Sequence, residues 1–216
     1  MKNNLVSKIF DSVADVYDRF LTTATFGIIH KLQNVLIDST PIKDNILDIG
    51  TGTGEILKKI SNKSSNNLLI GIDISTKMLK KAKEKIPSAN FIVADADRLP
   101  FKNNCINNVF YSLTFRHLNQ ENQVNQLKEI IKKDGYVSIL DLNKSKLLLF
   151  LFDKVFRPFG RLIFSKEEYE YFVKSIKEAK SINELEILFR KNSFTIYYKK
   201  NFLFGFIIIA IFKKES

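Results

Sequence analysis

The chain predicts an α/β protein on a doubly wound, mostly parallel sheet that closes with an antiparallel pair of strands. Three observations carry that prediction. Short apolar, β-branched runs alternate with helical patterns between residues 44 and 142, a glycine-rich turn follows the first run, and two strand-like runs finish the chain with only residues 201–205 between them. A link that short suits a hairpin and leaves no room for a crossover helix.

The first five strands are read at "NILDIG" (45–50), "LLIGIDIS" (68–75), "FIVADAD" (91–97), "NNVFYSL" (107–113) and "GYVSILDL" (135–142). Each is apolar almost throughout, as a strand buried on both faces is. In "STKMLKKAKEKIP", Met78, Leu79, Ala82 and Ile86 fall on one helical face, with Ser75 as N-cap and Pro87 as stop. In "ENQVNQLKEIIKKDG", Val124, Leu127, Ile130 and Ile131 form the stripe, lysines occupy the last turn and Gly135 ends it. "SINELEILF" (181–189) opens on a capping box of Ser181 and Glu184, and the hairpin strands follow at 194–200 and 206–214. Ahead of the sheet, Ile9, Phe10, Val13, Tyr17 and Phe20 recur at helical spacing and predict one N-terminal helix lying over the domain.

With 216 residues and 45% hydrophobic content, a single domain over 1–216 is expected. Its parts are a helical cap (1–40), a ligand-binding core (44–142), a lid or substrate-side insertion (143–180), and a final helix with the strand pair (181–216). Cys105 is the lone cysteine, so neither an intrachain disulfide nor a cysteine-held metal is expected. A reducing, cytoplasmic compartment follows. The acids within the first twenty residues argue against a signal peptide. The stretch 147–164 is broken by Asp153, Lys154, Arg157, Pro158 and Arg161, and 202–212 is far short of the roughly 20 apolar residues that span a bilayer, so neither is expected to span. The net charge of +11 is compatible with nucleic acid, an anionic membrane face, an anionic substrate or simply a lysine-rich surface.

The chemistry concentrates in "LDIGTGTGEI" (47–56), where the first strand turns into a helix. Gly50, Gly52 and Gly54 permit a sharp turn and close approach of a ligand to the main chain. Asp73 ends the second strand, at about the separation expected of a ribose-binding acid. Asp48 lies in the motif, and Asp95 and Asp97 follow the third strand. The glycine spacing is G-x-G-x-G, not the dinucleotide G-x-G-x-x-G, and the surrounding carboxylates repel a pyrophosphate. A cationic, phosphate-free ligand suits that field better, and S-adenosylmethionine carries a sulfonium and an ammonium.

On these motifs the chain resembles the UbiE-type C-methyltransferases of menaquinone and ubiquinone biosynthesis, a class I family dependent on S-adenosylmethionine. "IFDSVADVYDRF", "FGIIHKL", "LDIGTGTGEI", "GIDISTKMLKKAKEKI", "VADADRLPF" and "EYEYFVKSIKEAKSINELEILFRKNSF" carry the resemblance over nearly the whole length. It implies a Rossmann-like, seven-stranded sheet with an antiparallel last strand. It places Thr53 at the loop contact, Asp73 on the ribose, Asp95 and Ala96 at the adenine and Ser112 near the methionine end. Asp48, Thr51, Ile74 and the three glycines complete the cradle, and S-adenosylhomocysteine is the product. Two departures face the acceptor. Where the family reads S-F-G-L-R-N this chain has Ser112-Leu113-Thr114-Phe115-Arg116-His117, and "DLNKS" replaces E-F-S-K-P after the fifth strand.

Ring C-methylation needs a carbon made nucleophilic by a neighbouring hydroxyl that gives up its proton. Arg116 is expected to hold the developing phenolate, since guanidinium stays charged and forks onto oxygen. His117 is the candidate base, imidazole titrating at about 6.5 when unperturbed. Tyr17 would line the substrate or cap the cofactor, whereas His30 sits in an amphipathic segment and reads as structural. The acceptor expected is a lipophilic quinol, which puts the basic, Leu/Phe-rich stretch 147–164 in contact with the inner membrane face. A homodimer is left open. Methylation of another small molecule or lipid, of RNA, or a non-catalytic binding role are the rival readings. The chain lacks an N-P-P-[YF] motif after the fourth strand and any added RNA-binding module, so no nucleic-acid partner is expected.

Overall fold

The computed structural model describes residues 2–64, 67–158 and 165–215. Its strands are β1 Asn45–Ile49, β2 Leu68–Asp73, β3 Asn90–Val93, β4 Ile106–Ser112, β5 Ile131–Leu142, β6 Phe194–Phe202 and β7 Ile207–Lys214. They form one sheet in the order β3-β2-β1-β4-β5-β7-β6. β1 pairs in parallel with β2 on one side and β4 on the other, so the strand order reverses beside it. β7 runs antiparallel between β5 and β6, which makes the closing hairpin the sheet's far edge. Ligands of open α/β sheets bind at such a reversal, beyond the carboxyl ends of the strands.

Helices flank both faces: α1 Lys2–Val13, α2 Tyr17–Ala24, α3 Ile28–Ser39, α4 Glu55–Ser61, α5 Thr76–Lys85, α6 Gln120–Ile130, α7 Lys146–Phe150, α8 Lys166–Glu178 and α9 Ile182–Arg190. The alternation of side chains along each strand splits the core in two. Val109, Tyr111, Ile208, Ala210 and Phe212 face Val124 and Leu127 of α6 and Leu185 and Phe189 of α9. Phe110, Ile209 and Ile211 face Ile29, Leu32 and Leu36 of α3 and Leu57 and Ile60 of α4. β4 is therefore buried from Ile106 to Tyr111 because both faces are covered, and truncating the fully buried Phe110 would cost about 3–5 kcal/mol.

Two expectations are corrected. The N-terminal pattern forms two helices, α1 and α2, interrupted at residues 14–16, where Ala14 is buried. Helix α6 ends at Ile130, and Ile131 already pairs with Ile106 in the β4–β5 ladder. Lys132 and Lys133 thus belong to β5. Gly135 is not a helix stop: a Cβ there would lie 2.6 Å from Ile131 Cγ2 and 2.7 Å from the Asn107 carbonyl oxygen, so backbone approach at the bulge demands glycine. The ladder hydrogen bonds of β4 outweigh one more helical turn. Residues 159–164 of the apolar, basic stretch lie outside the described residues. His30 joins α3 to α2 through a 2.7 Å contact between its Nε2 and Thr22 Oγ1.

Candidate active site

The turn from β1 into α4 is built by three glycines with positive φ, Gly50, Gly52 and Gly54. Gly50 and Thr51 donate their amides to the Ile72 carbonyl at 2.9 and 3.0 Å, fastening the turn to the end of β2. At Gly50 a Cβ would fall 2.2 Å from Thr114 Cγ2, so Thr114 occupies the space beside the turn. At Gly52 a Cβ would meet nothing within 4 Å, and that open space faces the cleft. A ligand can approach the main chain there.

Two carboxylates anchor the cradle. Asp73 accepts from the Gly52 amide with Oδ2 and from the Ser75 amide with Oδ1, both at 2.9 Å. Burial raises its pKa, and those backbone donors work against the rise. Asp48 is fully buried beneath the turn. Its Oδ2 accepts from Thr51 Oγ1 at 2.7 Å, while its Oδ1 has no hydrogen-bond partner among the described residues. Burial pushes its carboxyl up to about 7, the Thr51 bond opposing and the Asp73 charge adding. A cation placed beside Asp48 would restore the ionised form.

The cleft inverts the sign of the molecule. The chain carries +11 overall, yet Asp18, Asp48, Glu55, Asp73, Asp95 and Asp97 line the cleft and, among the described residues, no lysine or arginine does. Thr51, Gly52, Thr53, Ile74, Ala96 and Ser112 line it too. Gly54 sits behind, against Ala82 of α5 and Ile86 just past its end. Asp95 Oδ1 caps its own turn by accepting from the Asp97 amide at 2.9 Å.

The N-terminal helices form the other wall. Asp11 accepts from Ser75 Oγ at 2.5 Å, Asp15 pairs with Lys81 at 2.8 Å, and Asp18 pairs with Lys85 at 2.5 Å. Three acids, from α1, the break after it and α2, thus meet Ser75, Lys81 and Lys85 along α5 and its N-cap. Lys85 also reaches Glu55 at 2.7 Å. Burial opposes its charge, but the hydrogen bonds to Asp18 and Glu55 prevail and raise its pKa. Thr53 spends its hydroxyl on Asp18 at 2.6 Å, so its side chain is a tie to the cap.

Tyr17 and His117 line the cleft; Arg116 does not. Arg116 is buried, its Nη1 donating to Asp141 Oδ1 at 2.5 Å and to the Leu113 carbonyl at 2.7 Å, and its Nε to Ser175 Oγ at 3.3 Å. Its backbone amide meets Asp141 Oδ2 at 2.9 Å. The guanidinium expected on the acceptor joins the Phe115–His117 turn to β5 and α8, and Asp141 compensates its buried charge. Burial raises the Tyr17 phenol above its usual value against the pull of the Arg116 charge, so that hydroxyl stays protonated at neutral pH.

Sequence reasoning missed Gln33 and Tyr171. Gln33 is buried on α3, with its Nε2 3.3 Å from Ser112 Oγ and its Oε1 lacking a partner among the described residues. The signal was available: a glutamine interrupts the apolar face made by Ile29, Leu32, Leu36 and Ile37. Tyr171, on α8, is more than fifty residues from the cleft's other aromatics, and only the fold brings it in.

A Rossmann-like sheet reversing beside a glycine turn, with a carboxylate ending β2, defines a class I methyltransferase. The open face at Gly52, the partnerless Asp48 oxygen and the acid lining fit its methyl donor, S-adenosylmethionine. The chain belongs to the ubiE/COQ5 methyltransferase family, whose model matches residues 1–214. It is 31% identical to the ubiquinone/menaquinone biosynthesis C-methyltransferase UbiE of Rickettsia bellii, covering 96% of this chain and 92% of that one. It is 29% identical to the demethylmenaquinone methyltransferase of Chlamydia caviae, covering 97% and 96%. A SAM-dependent methyltransferase from Thermotoga maritima shares the fold, with a TM-score of 0.68 at 17% identity over 97% of this chain and 99% of that one.

Proposed function

We propose that this methyltransferase places a methyl group on a ring carbon of a lipophilic quinol in quinone biosynthesis. The observation that carries the reading is the two-part cleft: carboxylates around the glycine turn, then an aromatic wall of Phe10, Tyr17, His117 and Tyr171 beside Ser112. The names of the Rickettsia and Chlamydia relatives support it. When bound, S-adenosylmethionine supplies an electrophilic methyl on a sulfonium. Asp73 receives the ribose hydroxyls, Asp95 and Ala96 the adenine, and Asp48 with Ser112 the cationic methionine end. The aromatic wall orients the acceptor ring and excludes water. His117 takes the hydroxyl proton, directly or through water, and Tyr17 closes the cleft from the cap. In balance, the ring carbon gains the methyl as S-adenosylhomocysteine leaves, then gives up its own hydrogen as a proton while the oxygen takes one back, so the net loss is one proton.

Contact with the membrane surface is part of the same reading. Leu147, Phe150, Val155 and Phe156 are exposed beside Lys146 and Lys154. Among the described residues no helix is long and apolar enough to cross a membrane. The deciding assay incubates the protein with labelled S-adenosylmethionine and a reduced demethylated quinol. Label in the quinone after extraction is the expected result. Saturable cofactor binding without label transfer would sink the acceptor assignment.

A further inference from the structure

The acceptor side of the cleft holds the hydroxyl-bearing ring of Tyr171. Tyr171 stacks on the His117 imidazole with ring centroids 5.3 Å apart and planes 12° from parallel, and Phe10 meets that imidazole edge-on at 6.1 Å. All three residues line the cleft. The Tyr171 Oη is buried and has no hydrogen-bond partner among the described residues. Leaving a hydroxyl in that state costs about 1–3 kcal/mol, so a buried donor facing a cleft is met by water, an ion or a ligand group.

Helix α8 holds the ring in place from both ends. Ser165 and Glu168 cap its start in a reciprocal box, and Ser12 of α1 donates to Glu168 at 2.7 Å. One turn beyond Tyr171, Ser175 receives the Arg116 Nε. Residues four apart share a helix face, so the Arg116–Asp141 strut sets the register of the face that carries Tyr171. Burial pushes the Tyr171 phenol up to about 12, the Arg116 charge opposing, which keeps it a neutral donor at working pH.

We infer that Tyr171 is a catalytic residue: its hydroxyl donates a hydrogen bond to the acceptor oxygen on which negative charge develops, and Arg116 is a positioning residue that acts through α8. The inference rests on the acceptor being an oxygen-bearing aromatic ring, as proposed above. A donor held ready in place favours the charged oxygen over the neutral one. The acceptor hydroxyl's proton goes to the base, and the charge left on oxygen is what Tyr171 stabilises.

Tyr171→Phe keeps the stacked ring and deletes only the donor. Expected are an unchanged Tm, unchanged affinity for S-adenosylhomocysteine, and kcat toward a soluble 1,4-naphthoquinol lowered roughly 100-fold, the loss typical of one such donor. Acceptors of graded acidity separate chemistry from structure. The loss should be greatest for weakly acidic phenols and shrink for those already ionised. An equal loss across the series, or wild-type turnover by the variant, overturns the inference. A wild-type protein that binds cofactor yet leaves every phenolic acceptor unmethylated overturns the functional reading instead, and this one with it.

Discussion

Asp48→Asn tests whether the buried carboxylate receives the cationic end of the methyl donor. Asparagine keeps an oxygen for the Thr51 hydroxyl at much the same volume, so the turn should survive and only the charge is lost. In the unliganded protein the Asp48 carboxyl titrates at about 7, against 3.8 for an unperturbed aspartate. The folded chain therefore binds more protons there than the unfolded chain between about pH 4 and 7, and this group's contribution to stability falls as pH rises through that window. Binding of a cation runs the other way, since it requires the ionised form. If only ionised Asp48 binds, apparent Kd scales as one plus the ratio of protonated to ionised carboxyl. With a pKa of about 7 that factor is about 11 at pH 6 and about 1.3 at pH 7.5, an eightfold tightening or about 1.2 kcal/mol. Calorimetric titration of S-adenosylmethionine at both pH values measures it. The asparagine variant should bind at least tenfold more weakly at pH 7.5, from loss of a charged hydrogen bond. It should also show a flatter pH dependence, which subtracts any titration of the ligand or of Asp73. The same slope in variant and wild type would refute the assignment.

Two further outcomes separate strut from site and surface from core. Arg116→Ala strands the buried Asp141 charge and should cost about 3–5 kcal/mol, lowering Tm on the order of 10 °C in scanning calorimetry. An unchanged Tm with transfer abolished would return the guanidinium to the acceptor. Leu147→Ser with Phe150→Ser, both exposed, should leave cofactor affinity intact and weaken co-sedimentation with anionic vesicles at low salt severalfold. Equal sedimentation of variant and wild type, or none by either, counts against membrane contact through α7.

Much of the architecture was legible in the chain because burial on both faces writes itself into composition. β1, β4 and β7 read as apolar runs, and each emerges as a strand with core on either side. The caps are local chemistry: Ser75 accepts from the Met78 amide, and Ser181 and Glu184 form their reciprocal box. The end of α6 was not legible. Ile131, Lys132 and Lys133 suit a helix as well as a strand, and pairing with Ile106 on a distant segment decides between them.

The site divides along the same line. The glycine turn, Asp48 and Asp73 lie within one strand–turn–helix–strand unit, so their spacing along the chain already implies their proximity in space. The acceptor wall is assembled from α1, α2, the turn after β4 and α8, and no local pattern says which side chains meet there. Arg116 shows the limit. Its charge and its place after β4 suggested a phenolate clamp, but a buried cation goes to the nearest compensating carboxylate, and β5 presents Asp141 at 2.5 Å. By itself the sequence determined the sheet, its closing hairpin and the acidic cradle, each the product of short-range periodicity and turn chemistry. Tertiary structure alone decided that Arg116 braces the wall while Tyr171 and Gln33 stand in it, because which buried polar group finds a partner depends on contacts between elements far apart in the chain.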